Sequence, residues 1–386
     1  MCAYLQGFAS FFSGDAVSSD AEPCAAVKDD TELTMSSHGN EIDFSFDRVF
    51  SAGVGQEAVF DEVSEFVQSA LDGFNVCLFS YGQTCSGKTH TMQGSGTGPM
   101  RGIIPRAIEQ VGRYKNDLEN AGWVYEMKVS FLEIYNENIR DLLREKNPGN
   151  IKHEIKQNND GRRYVSDLTM KVLDPSDGDG VNNIMRQAAK HRSVASTDMN
   201  EVSSRSHSVF TMHLTAFHKK QRKTLRGTLN LVDLAGSERL ERSGAVGDRA
   251  RETVAINKSL SSLADVFGAI GRGASHVPFR NSKLTFLLQP CLSGNGKTLM
   301  LVNISPTEES SQESMCSLRF ATQVNKCELG KAKRTIEINA SDCEDSGDDS
   351  VVSLRSARSP RVTGRPKQHA SGIVLPQGRM VRRKIA

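Results

Sequence analysis

Eight consecutive residues, Gly82-Gln83-Thr84-Cys85-Ser86-Gly87-Lys88-Thr89, satisfy the pattern G-x-x-x-x-G-K-[ST]. That spacing makes a phosphate loop. Backbone N–H groups turn inward onto phosphate oxygens, Lys88 neutralises charge, and the Thr89 hydroxyl ligates Mg²⁺. The apolar run Val76 to Tyr81 leads into the loop and a helical stretch follows, so an anion bound there meets a helix N-terminus. A second Gly-Lys-Thr, in Gly294-Asn295-Gly296-Lys297-Thr298, has Cys291 where the first glycine belongs and reads as a tight turn feeding the next strand.

A phosphate loop says only that a nucleotide binds, and two later segments supply groups that can sense a γ-phosphate. Asp233-Leu234-Ala235-Gly236 ends a predicted strand, so Asp233 can hold Mg²⁺ through water while the unshielded Gly236 amide approaches the phosphate. Asn200-Glu201-Val202-Ser203-Ser204-Arg205-Ser206-His207 is a polar cluster just before another strand, and its hydroxyls can reach the metal or the γ-phosphate. Taken singly, each segment also fits an ordinary turn or cap.

The elements that must position these groups follow from periodicity. Val76 to Tyr81 is a short apolar run suited to a buried strand. Val124 to Ile134 alternates, with Tyr125, Met127, Val129 and Phe131 on one face; Phe210, Met212, Leu214 and Ala216 do the same. Further strands are predicted at Thr228 to Asp233 and Thr298 to Ser305. Val254, Leu260, Leu263, Ala264, Phe267 and Ile270 recur at helical spacing, as do Met315, Leu318 and Ala321. Alternating helices and strands predict a layered α/β fold with a mostly parallel central sheet.

Composition sets the bounds of that domain. The 386 residues are 38% apolar and 24% charged, with 48 Lys+Arg against 46 Asp+Glu, which suits a globular chain of one large or two small domains. A net charge of +2 gives no global field, so attraction to an acidic partner must come from local clusters. The eight cysteines form no C-x-x-C pair and sit beside no His cluster, so they read as free thiols in the cytosol or nucleus. No basic leader or membrane-length apolar run is present. Residues 1–42, polar and small, read as an N-terminal arm left mostly without structure, apart from a short strand at Thr31 to Met35. Residues 336–386 read as a disordered tail, carrying five acids from Asp342 to Asp349 and then nine bases from Arg355 to Lys384. Residues 43–335 are the folded domain.

Four segments, YGQTCSGKTHTM, NEVSSRSHS, LVDLAGSER and HVPFRNSKLT, stand in the order and spacing of a kinesin motor domain, and from about Asp43 to Lys333 the chain resembles that family. The resemblance implies a phosphate-loop NTPase fold with a mostly parallel eight-stranded sheet flanked by helices, binding ATP with Mg²⁺ and attaching to microtubules. It places Gly82 to Thr89 around the phosphates and His90 near the adenine and ribose. Ser204, Asp233 and Gly236 would form the γ-phosphate and Mg²⁺ shell, with Thr89, Ser204 and Asp233 on the metal side. Arg205 and Glu238 would form the ion pair that closes around the attacking water and relays its proton.

Charge argues for the track side. Arg239, Arg242, Arg249 and Arg251 surround the second sensor, Lys258 lies on the following helix, and Arg272, His276, Arg280 and Lys283 cluster beyond it. Tubulin is acidic, and the resemblance of HVPFRNSKLT to the family's track-binding loop and helix implies Arg239, Lys258, His276, Arg280 and Lys283 as contacts. The helix from roughly residue 249 to 270 would join sensor to track as a two-state element. NSKLTFLLQPCLSGNGKTLM and RFATQVNKCELGKAKR are similar to the C-terminal-motor, minus-end-directed class. The implied setting is the cytoplasm and its microtubule cytoskeleton, spindle included, with no nucleic-acid or membrane partner. Residues 1–40 show no heptad pattern, so the chain as given reads as a monomer that would dimerise only through a stalk elsewhere.

The chain departs from the family in one respect. It has no R-x-R-P before residue 50, so the first core strand is either replaced, with Tyr4 to Phe12 the apolar candidate, or missing. A missing strand suggests a second reading, a non-catalytic microtubule-binding module; Lys88, Thr89, Arg205 and Glu238 speak against it. A signalling GTPase would need N-K-x-D, and neither Asn257-Lys258 nor Asn325-Lys326 supplies it. Cys85 stands at a loop position of small residues, where its thiol could sensitise nucleotide binding to oxidation or lie inert.

Overall fold

The computed structural model describes residues 2–5, 24–37, 39–96, 98–144, 151–158, 162–194, 204–238 and 248–338. In chain order these form β1 (Cys2–Leu5), β2 (Ala25–Val27), β3 (Glu32–Ser37), β4 (Asn40–Ser45), β5 (Arg48–Phe50), α1 (Gln56–Leu71), β6 (Asn75–Tyr81), α2 (Lys88–Met92) and α3 (Ile103–Asn120). There follow β7 (Trp123–Tyr135), β8 (Asn138–Asp141), β9 (Ile155–Gln157), β10 (Arg163–Val165), β11 (Lys171–Val172), α4 (Gly178–Val194), β12 (His207–His218) and β13 (Lys223–Asp233). The last elements are α5 (Asp248–Gly271), α6 (Lys283–Leu292), β14 (Lys297–Ile304), α7 (Ser311–Asn325) and β15 (Ile336–Ile338).

The central sheet runs β11-β7-β12-β13-β6-β14-β1-β5, with β8 paired to β7 and β15 to β13, ten strands among the described residues where the resemblance implies eight. Parallel pairing is confined to β13, β6, β14, β1 and β5, whereas β7, β8, β11, β12 and β15 pair antiparallel. The sheet is therefore mixed, where sequence alone predicts a mostly parallel one. The difference comes from the long strands β7, β12 and β13: β12 and β13 are joined by the short turn 219–222 and so run antiparallel, and β7 pairs antiparallel with β12 along its whole length.

Strand β6 shows why the phosphate loop has a rigid base. Val76, Cys77, Leu78 and Phe79 are all fully buried. Val76 and Leu78 join the core under α1, α3 and α4, while Cys77 and Phe79 join the core under α5, α6 and α7. A strand covered on both faces needs apolar residues at every position, which is what the run Val76 to Phe79 supplies. The helices obey the same rule on one face each. In α5, Leu260, Leu263, Val266 and Phe267 are buried while Lys258, Ser261 and Asp265 are exposed. No described helix is long and apolar enough to cross a membrane.

Two expectations about the ends are corrected. Strands β2, β3 and β4 form a small antiparallel sheet, and Leu33 and Met35 are fully buried in the core beside α7, so the N-terminal arm is not bare. The short strand predicted at Thr31 to Met35 is β3, whereas the alternation in Asn40–Ser45 beyond Gly39 was too short to stand out from its polar neighbours. At the other end, Ile336–Ile338 pairs with Lys223–Leu225, so the sheet extends into what was read as tail. The chain separates into units 1–340 and 341–386, and the second lies outside the described residues.

The R-x-R-P departure is settled by β1. Cys2–Leu5 runs parallel to both Leu301–Ile304 of β14 and Arg48–Phe50 of β5, so a segment that begins two residues before the apolar candidate Tyr4 to Phe12 and shares Tyr4 and Leu5 with it fills the sheet position.

Candidate active site

The phosphate loop, Gly82 to Thr89, leaves β6 and ends in the short helix α2. Gly82 is required by space. A Cβ there would lie 2.0 Å from the Asn303 carbonyl oxygen, and its φ of +152° disfavours any side chain. The loop braces itself: Ser86 Oγ donates to the Gln83 carbonyl at 2.8 Å, and Lys88 Nζ donates to the same oxygen at 2.6 Å. Gln83 Nε2 donates to Ser310 Oγ at 2.9 Å. Lys88 is buried, and desolvation pushes its ammonium below the usual lysine value against the pull of Asp233 and Glu238. Cys85 is exposed, at a positive φ of 63°. His90 is half-buried on α2; burial lowers its pKa, and its carbonyl accepts from Gln56 Nε2 at 2.6 Å.

Asp233, at the end of β13, meets the loop. Its Oδ2 accepts from Thr89 Oγ1 at 2.7 Å and from Arg192 of α4 at 3.2 Å. Its Oδ1 is buried without a hydrogen-bond partner. A buried carboxylate oxygen left over beside a threonine hydroxyl is a hard donor set of the kind Mg²⁺ takes, directly or through water. These residues fit the ion.

The two sensor segments are joined by their backbones: the Gly236 N–H donates to the Ser204 carbonyl at 2.8 Å, and the Ser237 N–H to the Gly82 carbonyl at 3.1 Å. Gly236 also has no room for a Cβ, which would come within 2.2 Å of Glu238 Oε2. The Glu238 carboxylate folds over the loop, accepting the Thr84 N–H at 2.9 Å and the Thr84 hydroxyl. The ion pair implied for Arg205 and Glu238 is thus not the arrangement present. Ser204 and Arg205 are half-buried at the start of the segment leading into β12.

Sequence reasoning missed the layer behind Asp233. Glu133 of β7 is fully buried; it accepts from Ser206 Oγ at 2.6 Å and lies 3.8 Å from Arg192 Nε, so Arg192 bridges two buried carboxylates. Glu133 carried a signal, an acid in the inward run Val129 to Ile134, but nothing local marks Arg192. Asn303 of β14 was also unseen; it accepts from Ser80 Oγ at 3.0 Å and donates to Thr91 Oγ1 at 2.9 Å, fixing β14 to the loop. Lys297, in the second Gly-Lys-Thr, reaches Ser69 Oγ at 2.8 Å and stacks over Phe74, as a turn residue would.

Of the residues expected to face a track, Lys258, His276 and Arg280 are exposed and Lys283 partly so. Arg280 lies over the Phe286 ring at 5.8 Å, and the Lys283 N–H donates to Glu137 Oε2 at 2.9 Å. Ser282 caps α6, accepting from the Thr285 N–H at 3.2 Å, which fixes where Arg280 and Lys283 emerge. Arg239 and Arg242 lie outside the described residues, as do the side chains of Arg249 and Arg251.

The comparisons agree with this geometry. The family model described as kinesin motor domain matches residues 14–327. Kinesin-like protein KIN-14D of Arabidopsis thaliana is 52% identical over 304 residues, 75% of this chain and 38% of that protein. Kinesin-like protein 2 of Schizosaccharomyces pombe is 50% identical over 74% of this chain and 35% of its own length. The chain thus spans under two fifths of these curated relatives. Among solved structures, a fast kinesin aligns at 35% identity with a TM-score of 0.78, covering 88% of this chain and 94% of that one. The motor domain of the Kar3-like kinesin from Ashbya gossypii aligns at 37% identity with a TM-score of 0.70, covering 84% of this chain and 98% of that one. Phosphate loop, joined sensors and fold agree with the family match, and the chain belongs to the kinesin motor domain family.

Proposed function

We propose that this chain is a microtubule-stimulated ATPase that converts ATP hydrolysis into movement along microtubules. The carrying observation is the convergence on one loop of Lys88, Thr89 with Asp233, and Glu238, with the two sensors hydrogen-bonded to each other. Loop amides and Lys88 bind the phosphates. Thr89, Asp233 and Ser204 hold Mg²⁺, which neutralises phosphate charge when bound. Gly236, lacking a side chain, leaves its amide able to approach the γ-phosphate. Glu238 is held by Thr84; exchanging that partner for Arg205 would free the loop and place a carboxylate to accept the water's proton.

The second sensor leads into α5, whose exposed face carries Lys258, while the turn before α6 presents Arg280 and the first turn of α6 presents Lys283 toward an acidic track. Minus-end movement is supported by the C-terminal-motor resemblance of residues 281–300 and 319–334. The strand β1 supports a complete sheet and removes the reason for a non-catalytic reading.

Steady-state phosphate release by the purified chain, with and without microtubules, tests the proposal. ATP turnover stimulated by microtubules and lost in Lys88→Ala is the expected result. Turnover equal in wild type and Lys88→Ala would refute the site, and gliding toward plus ends by a coiled-coil fusion would refute the direction.

A further inference from the structure

The buried His207, at the first position of β12, has no part in the chemistry described so far. Its ring is 2% exposed and lies between two elements far apart in sequence. Nδ1 accepts the Ala235 N–H at 3.0 Å, inside the sensor stretch Asp233 to Gly236. Nε2 meets Ser259 Oγ of α5 at 2.5 Å, and that hydroxyl donates onward to the Ile256 carbonyl at 2.7 Å.

These bonds fix every proton. The Ala235 N–H can only donate, so Nδ1 is the acceptor and the ring carries its hydrogen on Nε2. Ser259 spends its own hydrogen on Ile256 and accepts from the ring. Burial, with Arg192 and Lys88 nearby, presses the His207 pKa to about 3 and keeps the ring neutral, as one acceptor and one donor require. An imidazole is a rigid plate with its two nitrogens facing apart, so it transmits a displacement that a flexible chain would absorb.

We propose that His207 is a positioning residue that couples the second phosphate sensor to the track helix, by linking the Ala235 amide to Ser259. The sensor end is bound where it must respond, because the next residue, Gly236, is tied to Ser204. The helix end is next to Lys258, which is exposed on the proposed track face, while Leu260 is buried on the other side. A shift of Ala235 on phosphate binding therefore acts on α5 one residue from a track contact. By reciprocity, track binding acts on the sensor through the same bonds. This rests on the motor reading above.

The test is microtubule affinity, by cosedimentation, with ADP and with a non-hydrolysable ATP analogue, for wild type, His207→Ala, Ser259→Ala and the double variant. Wild type should differ roughly tenfold or more between the two nucleotides. Each single variant should shrink that ratio several-fold, and the double variant no further than the worse single, since both break one relay. His207→Gln, whose amide keeps an acceptor and a donor, should recover part of the ratio. A merely structural loss would lower both affinities together and leave the ratio intact, overturning the proposal. So would single effects that multiply in the double variant. If His207→Ala does not fold, Ser259→Ala, which removes one oxygen, decides alone. A wild-type chain with equal affinities would overturn the motor reading and the relay with it, whereas a normal wild-type ratio kept by Ser259→Ala would overturn the relay only.

Discussion

The nucleotide side and the proposed track side are built by opposite means. At the first, Lys88, Glu133, Arg192 and Asp233 are each buried and held to one another or to the loop by bonds of fixed geometry. At the second, Lys258 on α5 and His276 and Arg280 on the segment between α5 and α6 stand exposed. Buried charges demand partners, because removing one leaves another desolvated and uncompensated. Exposed charges act through their field and are weakened by salt. Chemistry therefore depends on single groups at the nucleotide side, while the track side distributes its effect over several.

The sharpest break of that contrast is Lys88→Ala, expected to lower ATP turnover at least roughly a hundredfold, because a preorganised charge is lost from a water-poor site. A turnover assay checks it. Next comes the sheet both sides share. Ala3→Pro removes a ladder N–H from β1, which is paired on both sides, and should cost roughly 1 to 3 kcal/mol in denaturant unfolding. No change would mean that β1 contributes little to the fold.

Arg280→Ala or Lys258→Ala should weaken microtubule binding only a few-fold, an effect that fades as ionic strength rises, while basal turnover stays within about twofold. Titrating salt in a cosedimentation assay separates this from a lost buried contact. Smallest is Glu337, which Arg226 and Arg162 hold at 3.0 and 2.6 Å. Its carboxyl lies below the usual 4.5, first through the Arg226 hydrogen bond. A depressed carboxyl stabilises the fold above pH 4.5 and loses that contribution as pH falls through the lowered value. Partly exposed, the pair is worth below about 1 kcal/mol, so Glu337→Gln should lower thermal stability slightly at neutral pH, and the difference should vanish once the carboxyl is protonated in acid.

Legibility followed the same division. The phosphate loop was readable because its eight residues act on one ligand from one stretch of chain. β6, β7, β12 and β14 were readable because burial on one or both faces imposes its pattern locally. Strand β1 was readable only in part, its apolar residues Tyr4 and Leu5 falling in the candidate stretch while four residues carry too little pattern to fix its bounds. Arg192 and His207 were not readable, because their partners lie at Asp233, Ala235 and Ser259, brought near only by the fold. The reading of Arg205 with Glu238 as a pair did not foresee the arrangement found, in which Thr84 takes the carboxylate.

The central claim is that the buried site and the exposed face are one coupled system. Microtubule affinity of the wild-type chain with ADP and with a non-hydrolysable ATP analogue tests it most directly. The account predicts affinities that differ roughly tenfold or more; equal affinities in the two states would contradict it.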